Sequence, residues 1–499
     1  MTLPPQDQCL STTHIKPPGS EQYETSDDAI EELVSASLLR LKFQDRNDAR
    51  EELHGVRNLA REETPELVHD SLIRMEEAIE AILLASSKEG YRHAFEEARY
   101  LPDTFVNDRD FRLKFLRCEL FNAARAADRM ICYLDHLLHL FGKRALREPL
   151  KANFFTKEEA AALRAGSIQL LPFRDQSGRR VMIALSKSLC YSPLLRVKLL
   201  IYILHVASED SIDSQRRGLV AIAWSGDDIT KLRLPGTPGN EAVELPNGKS
   251  LVDAIPIRLV GMHFCYPNNP FFRILKAFYV IAFGERWRTR LVFHHGTKLE
   301  MQYRLMGYGI PVSHIPATDT GVVKVRNHSQ WLRLRKLIEN NPCAYADVCE
   351  CPGLNDVLFR RAGSCLSHPG NSRFKNLLES KKEVHANSNQ TEKRDIAWSI
   401  VEEIENRNGR FFAWDTKRTC WVLMRDRGEV RQKVAMSIRD FNRQSKAGQN
   451  CQTNQSSTSV FEDQNGKKRK RNGLDDMFSN CSTMFKIQPI KSLSISLGE

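Results

Sequence analysis

Cysteine and histidine are the first residues here whose spacing could build a reactive centre. Cys343, Cys349, Cys351, Cys365 and His368 lie close together in the chain. A structural zinc site wants four soft ligands in tetrahedral order, usually supplied by Cys-x2-Cys pairs. No such pair occurs and the spacing is irregular, so no metal is expected, and His368 reads as a capping or turn residue. Ser225-Gly-Asp-Asp is an acidic loop of the kind that caps its own backbone. No phosphate-cradling glycine loop, nucleophile elbow or His-Glu-x-x-His helix occurs. The expectation is a protein that is not an enzyme and needs no cofactor.

The cations point to chemistry of another kind. The 499-residue chain carries 73 Lys/Arg against 62 Asp/Glu, a net charge of +11. That balance favours nucleic acid or an anionic lipid surface without choosing between them. Residues 1–70 hold 7 Lys/Arg against 15 Asp/Glu, so the basic surface must lie beyond them. Residues 351–446 hold 19 Lys/Arg against 12 Asp/Glu. There Arg361, Arg373, Lys375, Arg410, Lys417, Arg418, Arg431 and Lys433 interleave with Trp414 and Trp421, a pattern suited to DNA phosphates. A protein-interaction domain with both tryptophans in a hairpin core is the equal alternative. Lys467, Lys468, Arg469, Lys470 and Arg471 form a nuclear-import-like cluster in a polar tail, which places the chain in nucleus and cytoplasm. Arg286, Arg288 and Arg290 follow an apolar stretch and could meet phospholipid headgroups.

Hydrophobic period identifies the elements that must position these groups. Residues 1–26 are polar and proline-rich, a disordered arm. Across 27–150 leucine and isoleucine recur at three- and four-residue intervals, the pattern of an N-terminal helical bundle. From 151 to 335, short apolar runs at Ile168, Val181, Gly218 and Ile255 alternate with helical stretches at 194–207 and 271–290, which specifies an α/β layered domain. Residues 336–353 read as a turn-rich linker. Residues 354–445 read as a small α+β domain in the order helix, helix, hairpin, helix, similar to a winged helix, with Asn371 as the first N-cap. Residues 446–499 form a disordered tail. The 12 cysteines are read as reduced thiols, and no apolar run approaches the roughly 20 residues that span a bilayer.

An apolar helix over such a sheet can enclose a hydrophobic cavity. Phe272, Leu275, Phe278, Tyr279 and Phe283 are the contacts a lid at 271–283 would offer, although any one of them could simply fill a core.

Lys114-Phe-Leu-Arg followed by Phe121 and Ala126 resembles the helical entry segment of the CRAL-TRIO lipid-binding family. Gly178-Arg-Arg-Val is similar to that family's Gly-Arg-Pro-Val strand entry, with Arg180 where the family has Pro. Ile255-Pro-Ile-Arg-Leu-Val-Gly-Met-His-Phe resembles its cavity-lining strand, and segments 288–296 and 310–321 resemble its closing motifs. The resemblance covers about 100–325. It implies a hydrophobic or phospholipid ligand lined by Val260, Met262 and Phe264, with peripheral membrane contact. Asp356-Val-Leu-Phe, His368-Pro-Gly-Asn and Gly409-Arg-Phe-Phe resemble a domain of unknown function common in diatom proteins, which implies no chemistry. Two functions stand: lipid binding coupled to a basic regulatory domain, or a nuclear DNA-binding regulator whose α/β region is structural or sensory. Ligand, sequence preference and oligomeric state are left open.

Overall fold

Short, nearly continuous apolar runs, buried on both faces, build the larger sheet. Its strands are β1 (Ile168–Arg174), β2 (Arg180–Leu185), β3 (Leu219–Trp224), β4 (Leu259–Tyr266) and β5 (Leu291–His295), in spatial order β1-β2-β3-β4-β5. β1 runs antiparallel to β2, and the other neighbours are parallel. The computed structural model describes residues 32, 35–36, 39–85, 93–102, 104–225, 251–312, 315–317, 322–360 and 367–455.

Because side chains alternate, each strand feeds two cores. Met182, Leu219, Met262 and Phe264 face the helices Ala123–Phe141, Pro193–Glu209 and Pro270–Ala282. Val181, Ile183, Val220, Ile222, Trp224 and Cys265 face Met301 and Leu305 of the Lys298–Met306 helix and Ile310 beyond it. Among the described residues no helix is long and apolar enough to cross a membrane.

Arg180 takes the place that the sequence resemblance gives to Pro, and it is wholly buried. It and Arg174 meet Asp210 at 2.9 and 2.7 Å. Burial pushes the Asp210 carboxyl up, but the two guanidiniums outweigh it and hold it below its usual range. Arg174 also donates to the carbonyls of Cys351 and Pro352, at 3.2 and 3.3 Å.

That contact changes the reading of 336–353. The stretch is packed structure rather than a bare linker: Cys351 is fully buried, and β6 (Val348–Cys349) joins the second sheet. The described residues up to Ile438 form one compact unit, and contacts cross positions 150 and 335. The second sheet has the order β6-β9-β8-β7, with β7 (Val357–Phe359), β8 (Phe411–Asp415) and β9 (Cys420–Leu423). The expected hairpin is there, with Trp414 opposite Trp421. Helices Pro369–Asn387, Gln390–Asn406 and Arg427–Gln455 complete the region. The last runs 12 residues past the expected end at Arg443, because no proline interrupts it. The arm at 1–26, Arg361 and the Lys467–Arg471 cluster lie outside the described residues.

Candidate functional site

The Pro270–Ala282 helix starts where its sequence says it should. Asn269 accepts a hydrogen bond from the Phe271 amide at 2.9 Å, and Pro270 occupies the first turn, where its missing donor costs nothing. The inner face carries Phe272, Leu275 and Val280, all buried, with Tyr279 and Phe283 half-buried beside them. Their rings close on β4. Tyr279 lies 4.4 Å from Phe264 and Phe283 6.2 Å from it, while Phe272 stacks on Tyr266 at 5.3 Å. Burial raises the Tyr279 phenol to about 12, against the opposing charge of Arg196.

Of the expected ligand contacts, Val260, Met262, Phe264, Phe272 and Leu275 are therefore buried, most of them in the layer between helix and sheet. Phe278 points the other way. With Ile274 and Ile281 it forms an outward stripe at i, i+4 and i+7, exposed by 38, 49 and 66 %. Phe278 was expected from its residue type, and both isoleucines were missed, although their spacing from Phe278 was a signal on its own.

The three arginines expected at lipid phosphates have partners inside the fold. Arg286 donates to both Glu119 oxygens at 2.8 Å, and Glu119 also pairs with buried Arg129 at 2.6 Å. Burial raises the Glu119 pKa, but Arg129 and Arg286 overcome that and keep it low. Arg288 donates to the Val280 carbonyl and Arg290 to the Val260 carbonyl, each at 2.9 Å. Arg290 also meets Glu52 at 2.8 Å. These cations clamp the end of the helix onto strand, bundle and N-terminal helix.

The basic residues of the C-terminal region separate just as clearly. Arg410 is held by Asp356 at 2.9 Å, Arg373 bonds Asn355, and Arg418 pairs with Asp415 at 3.7 Å. Arg431 lies over Trp398 and Lys433 over Phe359, at 6.0 and 5.7 Å. Two residues apart on one helix, they turn to different partners and form no common stripe. Lys375 and Lys417 are exposed. Arg360, a cation that sequence reasoning passed over, stacks on Trp414 at 4.3 Å.

The His368-Pro-Gly-Asn segment serves packing. His368, not Asn371, is the N-cap, accepting from the Gly370 amide at 3.3 Å, with Pro369 in the first turn. Asn371 instead grips β7, accepting from the Leu358 amide at 2.8 Å and donating to the Leu358 carbonyl at 2.9 Å. A Cβ on Gly370 would stand 2.0 Å from the Asp356 carbonyl oxygen, so no side chain fits there. Cys343 is exposed, Cys349 half-buried and Cys351 buried. Among the described residues no three His, Cys, Asp or Glu side chains gather to hold a metal.

A buried histidine pair carried no signal in the sequence. His263 on β4 and His294 on β5 meet through Nδ1 and Nε2 at 2.9 Å, beside Tyr308. Burial pushes both rings toward the neutral form, with His294 lowered to about 4.

Residues 356–440 match the family model of a domain of unknown function, DUF6824. No curated protein matches the chain. The matched stretch begins at Asp356 and contains the His368–Asn371 turn and the Arg410 clamp.

Proposed function

We propose that the α/β region binds a hydrophobic or phospholipid ligand at a lipid surface, without catalysis, and that the basic C-terminal region regulates that binding. The observation that carries this reading is the Ile274, Phe278 and Ile281 stripe. Large apolar side chains in a contiguous exposed row are costly in water and mark a surface that meets something apolar. An in-plane helix with aromatic and aliphatic residues on one face is the geometry that enters a membrane interface. The ordered motifs across 100–325 that resemble CRAL-TRIO proteins support the same reading.

The test uses the full chain with phosphatidylcholine vesicles containing phosphatidylserine, and mass spectrometry of lipids extracted from the purified protein. Ile274→Asp with Ile281→Asp should abolish co-flotation while the circular-dichroism spectrum is unchanged. A wild-type chain that neither floats nor carries lipid overturns the proposal.

A second reading, a nuclear DNA-binding regulator, draws on the excess of cations in 351–446 and the exposed Lys375 and Lys417. Fluorescence anisotropy with duplex DNA at several salt concentrations tests it. Removing one cation that neutralises a phosphate should lower the log–log salt slope by roughly 0.9.

A further inference from the structure

The Arg326–Asn340 helix packs across the Lys157–Ala165 helix and the short turn at Ala152–Phe154. Between them opens a cleft of about 480 Å³. Its walls are fixed. Buried His328 bonds the Leu163 carbonyl at 2.7 Å. Glu339 accepts from the Ala152 amide at 2.9 Å and from the Tyr202 hydroxyl at 2.8 Å, with Arg335 3.4 Å away. The volume suits one small ligand in a preformed site.

The lining is divided by chemistry. Leu163, Leu332 and Ala160 present apolar surface, while Arg164, Arg333 and Lys336 stand exposed around them. Arg333 and Lys336 are one turn apart, and Leu332 is one turn before Lys336, so the three share a face of their helix. Among the described residues no carboxylate pairs with these three cations. Glu339 is engaged as above, Glu148 by Lys151 at 3.1 Å and Glu159 by Lys198 at 2.7 Å. The cleft therefore joins an apolar floor to an uncompensated positive rim.

We infer that this cleft binds a single-chain amphiphilic anion, its tail over Leu163 and Leu332 and its carboxylate or phosphate head on Arg164, Arg333 and Lys336. Guanidinium groups match either head in two-point hydrogen bonds. The site is separate from the Ile274, Phe278 and Ile281 stripe, and its fate does not depend on that reading.

The test titrates the full chain by calorimetry below micelle-forming concentrations, with native mass spectrometry for stoichiometry. The probes are oleate, oleoyl lysophosphatidate, uncharged monoolein and inorganic phosphate. One-to-one binding of either anionic amphiphile, at least tenfold tighter than monoolein or phosphate, is expected, and the preferred anion identifies the head. Arg333→Glu with Lys336→Glu should weaken it at least tenfold, and Arg333→Gln with Lys336→Gln should weaken it in the same direction should charge reversal disturb the fold. Ala160→Phe should obstruct the floor. Ile274→Asp with Ile281→Asp should leave the affinity unchanged. Monoolein or phosphate binding as tightly as the charged amphiphiles overturns the inference. So does binding that survives both double changes or is lost in the Ile274/Ile281 pair, or no stoichiometric binding at all.

Discussion

The helix Pro270–Ala282 and the His368–Asn371 turn treat their distinctive residues in opposite ways. The turn has the more specific sequence, yet each of its marks is used within the fold: His368 caps, Pro369 starts the helix, Gly370 makes room and Asn371 grips β7. The helix is a commonplace apolar stretch, yet it leaves Ile274, Phe278 and Ile281 facing water. A distinctive motif can thus record a tight packing requirement, while an ordinary amphipathic stretch leaves apolar surface exposed. Cations follow the same division. Those beside the apolar helix are clamps, whereas Arg164, Arg333 and Lys336 around the Leu163–Leu332 cleft pair with no carboxylate among the described residues.

The largest test of this contrast lies where the two sheets join. Asp210→Ala strands Arg174 and Arg180 in the interior, and an unpaired buried charge costs about 3–5 kcal/mol. Chemical denaturation of the full chain should show that loss. A drop confined to the larger sheet's region, with the C-terminal region untouched, would break the picture of one packed unit.

Acid should act next. His205 and His294 are each lowered by burial to about 4, against 6.5 for a free ring. Between these values the unfolded chain takes up protons that the folded chain refuses, so stability is greatest above pH 6.5 and falls as pH drops toward 4. At pH 5.5 the two rings together should cost about 3 kcal/mol. Thermal melts at pH 7.5 and 5.5 check the sign, and His294→Asn should flatten part of the slope.

Gly370→Ala should follow at about 2 kcal/mol, since the added methyl meets backbone atoms of Asp356 and Asn355 rather than a yielding side chain. If Gly370→Ala is silent in a melt, the packing account of the motif fails. The smallest effect belongs to the apolar helix. Ile274→Asp with Ile281→Asp should move stability by no more than about 0.5 kcal/mol per change, because exposed positions contribute little to folding. A large loss there would mean that the stripe is core after all.

Much of the fold was legible locally. The Phe411–Asp415 and Cys420–Leu423 hairpin could be read from alternating apolar residues around a polar turn, and the Gln390–Asn406 helix from its Ile and Val spacing and the following Gly409. Asn371 misled because Asn, Ser and His all offer a short-range acceptor. Which of them caps depends on where β7 lies, 13 positions back. β6 was missed because a strand of two residues has no period to read.

The sequence by itself determined where most helices and the longer strands form, since those choices rest on interactions within a few residues of chain. It also determined that an apolar helix would follow β4 and that the basic charge would lie beyond residue 70. Only the tertiary structure decided which cations are free, because their acids arrive from far away: Glu119 reaches Arg286 across 167 positions. It alone brought His263 beside His294 and placed Leu163 against His328. Local chemistry sets the period of each element, but the dielectric, the partners and the exposure of a side chain are set by whatever distant segment folds against it.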